Sequence, residues 1–104
     1  MSQAVEHNGV VYLAGQVAND INADISEQTR QILAKIDALL ETTGSSKSKL
    51  LWAQLWVTDM RNFGAMNEVW DAWIDPENPP VRAGLCSDLA APGYLVEIMV
   101  TAAK

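Results

Sequence analysis

The sequence predicts an α+β domain in the order β-β-α-β-α-β-β, with two helices covering one face of a mixed sheet. Three observations lead there. Apolar residues alternate at period two in several short runs and recur at helical spacing in two longer ones. Asn8-Gly9 stands between the first two short runs, the strongest local signal for a hairpin. The chain has 104 residues, enough for one compact domain and too few for two, so residues 1–104 read as a single domain.

The elements follow in order. "SQAVEH" and "VVYLAGQV" (10–17) are the paired strands about Asn8-Gly9. "DISEQTRQILAKIDALLETTG" (24–44) changes period: Ile25, Ile32, Ile36, Leu39 and Leu40 form one stripe, widened by Leu33. Ser26 or Asp24 caps its start and Gly44 supplies a left-handed stop. "LLWAQLWVTD" (50–59) is a strand with two different faces. Leu51, Ala53, Leu55 and Val57 suit a helix-covered core, whereas Trp52, Gln54, Trp56 and Thr58 suit a subunit interface or pocket wall. "NFGAMNEVWDAWI" (62–74) is the second helix, with Phe63, Met66, Trp70, Trp73 and Ile74 on one side, stopped by "DPENPP". "VRAGLCSDL" (81–89) and "GYLVEIMVTAA" (93–103) are two further strands joined around Pro92-Gly93.

Bulk properties exclude several classes. The net charge is −6 and the seven basic residues are scattered, so the chain lacks the basic stripe that displaces counterions from nucleic acid. Nothing in the sequence is long and apolar enough to span a bilayer, and the N-terminus carries no signal pattern. The single cysteine, Cys86, forms no internal disulfide, and no Cys/His pair has metal spacing. The expectation is a reduced cytoplasmic protein without a structural metal. Hydrophobic residues make up 49% of the chain, more than one small core absorbs, so part of them should lie in contacts between subunits. A sheet with helices on one face also needs cover on the other, and a second copy supplies it.

Two charged residues stand in otherwise apolar strands. Glu97, in "YLVEIMVTA", shares a face with Leu95 and Met99, where a carboxylate is costly to bury alone. It reads either as a structural ion pair or water-facing group, or as an acid/base whose pKa its setting raises. Arg82, in "PPVRAGL", shares a face with Gly84, Cys86 and Asp88. It reads either as a local ion pair with Asp88 or Asp59, or as a planar fork offered to a substrate carboxylate, with Gly84 leaving room beside it. His7 lies beside a turn and reads as solvated. Cys86 has no neighbouring activator, and "AGQ" (14–16) lacks the spacing of a phosphate loop.

The stretches "SQAVEHNGVVYLAGQVA", "FGAMNEVWDAW" and "PPVRAGL…LVEIMVTA" resemble the YjgF/Rid family, whose "YSQA", "vSGQ", "P.R…" and "vEIe" recur in this order. The resemblance spans nearly the whole chain, and the interval from Arg82 to Glu97 fits without a gap. It implies a chorismate-mutase-like protomer forming a homotrimer, with a central barrel and clefts between neighbours. It also implies hydrolysis of reactive enamines and imines, 2-aminoacrylate and related imino acids, to 2-keto acids and ammonia without a cofactor. By this resemblance Arg82 holds the substrate carboxylate, Glu97 positions or activates water, and the backbone at Ala14 and Gly15, with Asn67 and Gly84, lines the cleft. Met1 stands where the family has tyrosine, Ala14 where it has serine, and Gly84 where cysteine is frequent, which implies a roomier and more apolar cleft. The alternative reading is a non-catalytic trimer that binds a small acid such as a 2-keto acid, with Arg82 as its sensor.

Overall fold

The computed structural model describes all residues, Met1 to Lys104, and realises the expected order. Strands β1 (Ala4–His7) and β2 (Val10–Leu13) form a hairpin. Its turn places Asn8 at φ 52° and Gly9 at φ 78°, the two left-handed conformations that an Asn-Gly turn supplies most cheaply. Helix α1 (Ile25–Thr42) begins at Asp24, whose carboxylate accepts from the Glu27 N–H at 2.9 Å. Gly44, at φ 80°, turns the chain out of α1 as expected. Strand β3 (Leu50–Val57) leads through a short 3₁₀ turn into α2 (Phe63–Trp73), then come β4 (Val81–Cys86) and β5 (Val96–Ala103).

The sheet order is β1-β2-β5-β3-β4. β3 and β4 run parallel, bridged by α2, and every other neighbouring pair is antiparallel. β5 is therefore the central strand, and β4 is an edge. Both helices cover one face. Ile32, Leu33, Ile36 and Leu40 of α1, with Met66 and Trp70 of α2, close over Val11, Ala53, Leu55, Val57, Val96, Ile98 and Val100. Burial alternates strictly along β5, with Val96, Ile98, Val100 and Ala102 inward.

β1, β3 and β4 are each shorter than the sequence reading, and three further differences have a local reason. Leu51 was expected on the core face but is 47% exposed, because the β3–β5 register slips between Leu50 and Trp52. The bulge gives the core position to Leu50. β2 leaves the ladder after Leu13. Tyr12 pairs with Thr101 and Gln16 with Ile98, so one extra residue is accommodated around Ala14-Gly15. β5 starts at Val96 rather than 93, because the preceding residues form a loop tied to α1. The buried Gln28 side chain donates to the Gly93 carbonyl at 2.9 Å and accepts from the Leu95 N–H at 3.0 Å. No helix is long and apolar enough to cross a membrane.

The face opposite the helices is left open. Val5, Tyr12, Thr101, Trp52 and Val81 are register partners in one row across all five strands. Val81 is 68% exposed, and Tyr12 and Val5 are exposed beside it.

Candidate functional site

Register places the singled-out residues in two groups. Arg82 pairs with Ala53 and Gly84 with Leu55, both core-facing, so the Arg82 and Gly84 positions face the helices. Glu97 pairs with Trp56, which faces the open side. Within one protomer the two charged groups stand on opposite faces. They are also two strands apart, about 10 Å at ordinary strand spacing.

The first group gathers at the β4 edge. The Arg82 guanidinium carbon lies 5.7 Å from the Phe63 ring centre and 5.6 Å from that of Trp70. Its side chain makes no hydrogen bond and no ion pair. Neither acidic candidate reaches it: Asp59 is taken by Arg61 at 2.6 Å, which holds the Asp59 carboxyl below the usual range, and Asp88 has no cationic partner. The Phe63 ring occupies the space beside Gly84, where a Cβ would come within 2.7 Å of two ring carbons. Asn67 lies on α2 between Phe63 and Trp70 in sequence, and its Oδ1 is buried without a hydrogen-bond partner.

The second group gathers on the open face where β2 leaves the ladder. A Cβ at Gly15 would run into the Glu97 carboxylate, so the glycine lets the backbone pass against that group without displacing it. Gln16 fixes that approach. Its backbone exchanges hydrogen bonds with Ile98 at 2.8 and 3.1 Å, and its side chain donates to the Ala14 carbonyl and to Gln3. Ala14 donates its N–H to the Gln3 carbonyl at 2.9 Å. Glu97 makes no ion pair, and partial burial pushes its carboxyl pKa up from the ordinary value. Within one protomer neither Glu97 nor Arg82 makes an ion pair.

His7 is exposed and touches only the neighbouring Asn8 amide. Cys86 is exposed, with its thiol near the Thr58 carbonyl at 3.6 Å. No cluster of three or more His, Cys, Asp or Glu has the arrangement of a metal site. Sequence reading assigned Phe63 and Trp70 to the core stripe of α2 and missed their second contact with Arg82. The available signal was the aromatic pair at i and i+7 on a helix that crosses directly into the arginine's strand.

Comparison with known proteins agrees with the architecture. The family model described as Endoribonuclease L-PSP matches residues 1–104. The RutC family protein YoaB of Escherichia coli is 44% identical over 102 residues, covering 98% of this chain and 89% of that protein. A RutC family protein of Haemophilus ducreyi is 40% identical, covering 98% and 87%. Among solved structures, a member of the YjgF protein family from Neisseria meningitidis superposes with a TM-score of 0.97 at 40% identity, covering 100% of this chain and 87% of that one. A protein of the conserved Rid family from Yersinia pestis gives 0.93 at 32% identity, covering 100% and 87%.

Proposed function

The chain belongs to the L-PSP family, whose members also carry the names YjgF, RutC and Rid, and on that premise we propose that it hydrolyses reactive imines and enamines of amino acids to 2-keto acids and ammonia. The observation that carries this reading is the unpaired Arg82 guanidinium, exposed at the sheet edge with no acidic partner. A guanidinium free of internal partners keeps its fork of N–H donors for a planar anion such as a substrate carboxylate.

The active cleft lies between subunits of a homotrimer. Arg82 and Glu97 face opposite sides of one sheet, so they reach one small ligand when the two faces belong to neighbouring copies. The chemistry is then short. Arg82 grips the carboxylate of the protonated imine. Glu97, as carboxylate, takes a proton from water while the water oxygen bonds to the C=N carbon. The carboxylic acid so formed returns that proton to nitrogen. The Glu97 carboxylate then takes the hydroxyl proton of the carbinolamine, and the O–H electrons form C=O as the C–N bond breaks and ammonia leaves. A carboxyl with a raised pKa suits both roles near neutral pH. Ala14, Gly15 and Asn67 line the cleft. The family's ribonuclease designation fits this chain poorly, since a net charge of −6 opposes a polyanionic substrate.

A coupled assay tests the reading. An amino-acid oxidase generates imines from a panel of amino acids, and semicarbazide traps those that escape hydrolysis. The wild-type protein should suppress trapping, and Arg82→Ala should abolish the suppression while the assembly keeps its mass. Trapping unchanged by wild type across the panel would overturn the deaminase reading. Arg82-dependent binding of a 2-keto acid would then favour the sensor.

A further inference from the structure

We propose that Phe63 and Trp70 are positioning residues that hold the Arg82 guanidinium in its ligand-ready orientation, and that Gly84 is the gap that admits the Phe63 ring. The inference rests on the reading that Arg82 grips a substrate carboxylate.

Arg82 sits on an edge strand, exposed on all of β4, and a long side chain there would sweep a wide cone of solvent. Two aromatic faces limit it. The guanidinium lies within 6 Å of both ring centres, at 5.7 and 5.6 Å, inside the range where a ring quadrupole attracts a cation. The rings themselves are anchored. Trp70 is buried in the core and packs in a tilted arrangement, ring centres 5.5 Å apart, against Trp73, whose indole N–H donates to Asp37 at 2.8 Å. Phe63 packs against the same core and fills the place of a Gly84 side chain. A carboxylate partner would also orient Arg82 but would compete with the incoming anion for the same N–H donors. An aromatic partner attracts the cation through its face and consumes none of those donors. The departure at Gly84 thus acquires a reason: a larger residue would push Phe63 out, and the arginine would lose one of its two supports.

The test compares Phe63→Leu, Phe63→Tyr and Gly84→Ala with wild type, using the assembled protein with labelled arginine. Relaxation of the Arg82 Nε–Hε group reports its order, and calorimetry with pyruvate reports anion binding. Order should fall in Phe63→Leu and Gly84→Ala and be retained in Phe63→Tyr, which keeps a ring. Pyruvate binding and the KM for imino acids should weaken about two- to fivefold in the same two variants, with kcat little changed. Unchanged melting temperature of Phe63→Leu separates this from a folding defect, and Gly84→Ala reaches the same contact without altering either ring. Equal Arg82 mobility in wild type and Phe63→Leu would overturn the proposal. The relaxation arm decides this even if no imine is hydrolysed, so its failure is distinct from failure of the deaminase reading.

Discussion

Glu97 is the residue whose surroundings depart furthest from what a carboxylate prefers. Its neighbours in register are Trp56 and, beyond it, Leu85, the Gly15 backbone passes against it, and no cation offsets the burial. The raised pKa has a definite sign. Between the ordinary glutamate value and the raised one, the folded chain keeps a proton that the unfolded chain has released. The contribution to stability is complete below the unfolded value and is lost as pH rises through the folded one. Glu97→Gln should therefore lose less melting temperature than wild type as pH rises from the ordinary glutamate range through the raised value. Parallel melting curves would show that the carboxyl feels no burial. In catalysis the same shift moves the acid limb of the rate profile above the ordinary carboxylate range, because the base must be ionised. Both charged residues were visible in the sequence, since a charge in an apolar strand stands out. Their lack of ion-pair partners was not, because only the register sets Asp59 six residues beyond the partner of Arg82, and only geometry shows Arg61 claiming it.

Among the elements, α1 fixes the loop that leads into the strand of Glu97. Its apolar stripe and Asp24 cap were legible because both depend on neighbours within a few residues. Gln28 was not singled out, yet it is fully buried and makes three hydrogen bonds, to the Ala23 and Gly93 carbonyls and from the Leu95 N–H. It ties the loop before β5 to the helix and so determines where Val96 enters the sheet, one residue before Glu97. Gln28→Ala should cost about 2–4 kcal/mol, because it strands the Leu95 N–H together with two carbonyls. Urea unfolding measures the cost, and limited proteolysis should open the chain near Ala90-Ala91. An unchanged midpoint would mean water replaces the amide. The bulges at Leu51 and at Ala14-Gly15 were likewise illegible, since alternation predicts a face but not where an extra residue slips into the ladder.

At the scale of the whole molecule, the open face governs what a single chain can do. The apolar row through Val5, Tyr12, Trp52 and Val81 requires cover, and a second copy with the same row is self-consistent. Trp52→Asp should lower the mass seen by light scattering, whereas a charge change on the outer helix, Glu68→Lys, should not. Unchanged mass for Trp52→Asp would show that the row is not interfacial. The division of Arg82 and Glu97 between two faces leads to a sharper expectation. Arg82→Ala and Glu97→Gln, each inactive, should regain about one quarter of wild-type activity when co-refolded in equal amounts, as random mixing of copies demands for a cleft shared by two subunits. No recovery would place both groups in one subunit's site.

The sequence by itself determined the class of each element, the Asn8-Gly9 turn, the start and stop of α1, and the two charged residues around which the chemistry is built. All of these follow from contacts within a few residues, or from the mismatch between a charge and its apolar neighbours. Tertiary structure decided the sheet order, which makes β5 central and β4 an edge, and with it the separation of Arg82 from Glu97. It also decided that Arg82 rests on Phe63 and Trp70 rather than on an aspartate, and that Gly84 is filled by a ring. These depend on which distant segments pair and in what register, and one residue of slip moves a side chain to the opposite face. Local patterns in the chain leave that register open until the strands are packed.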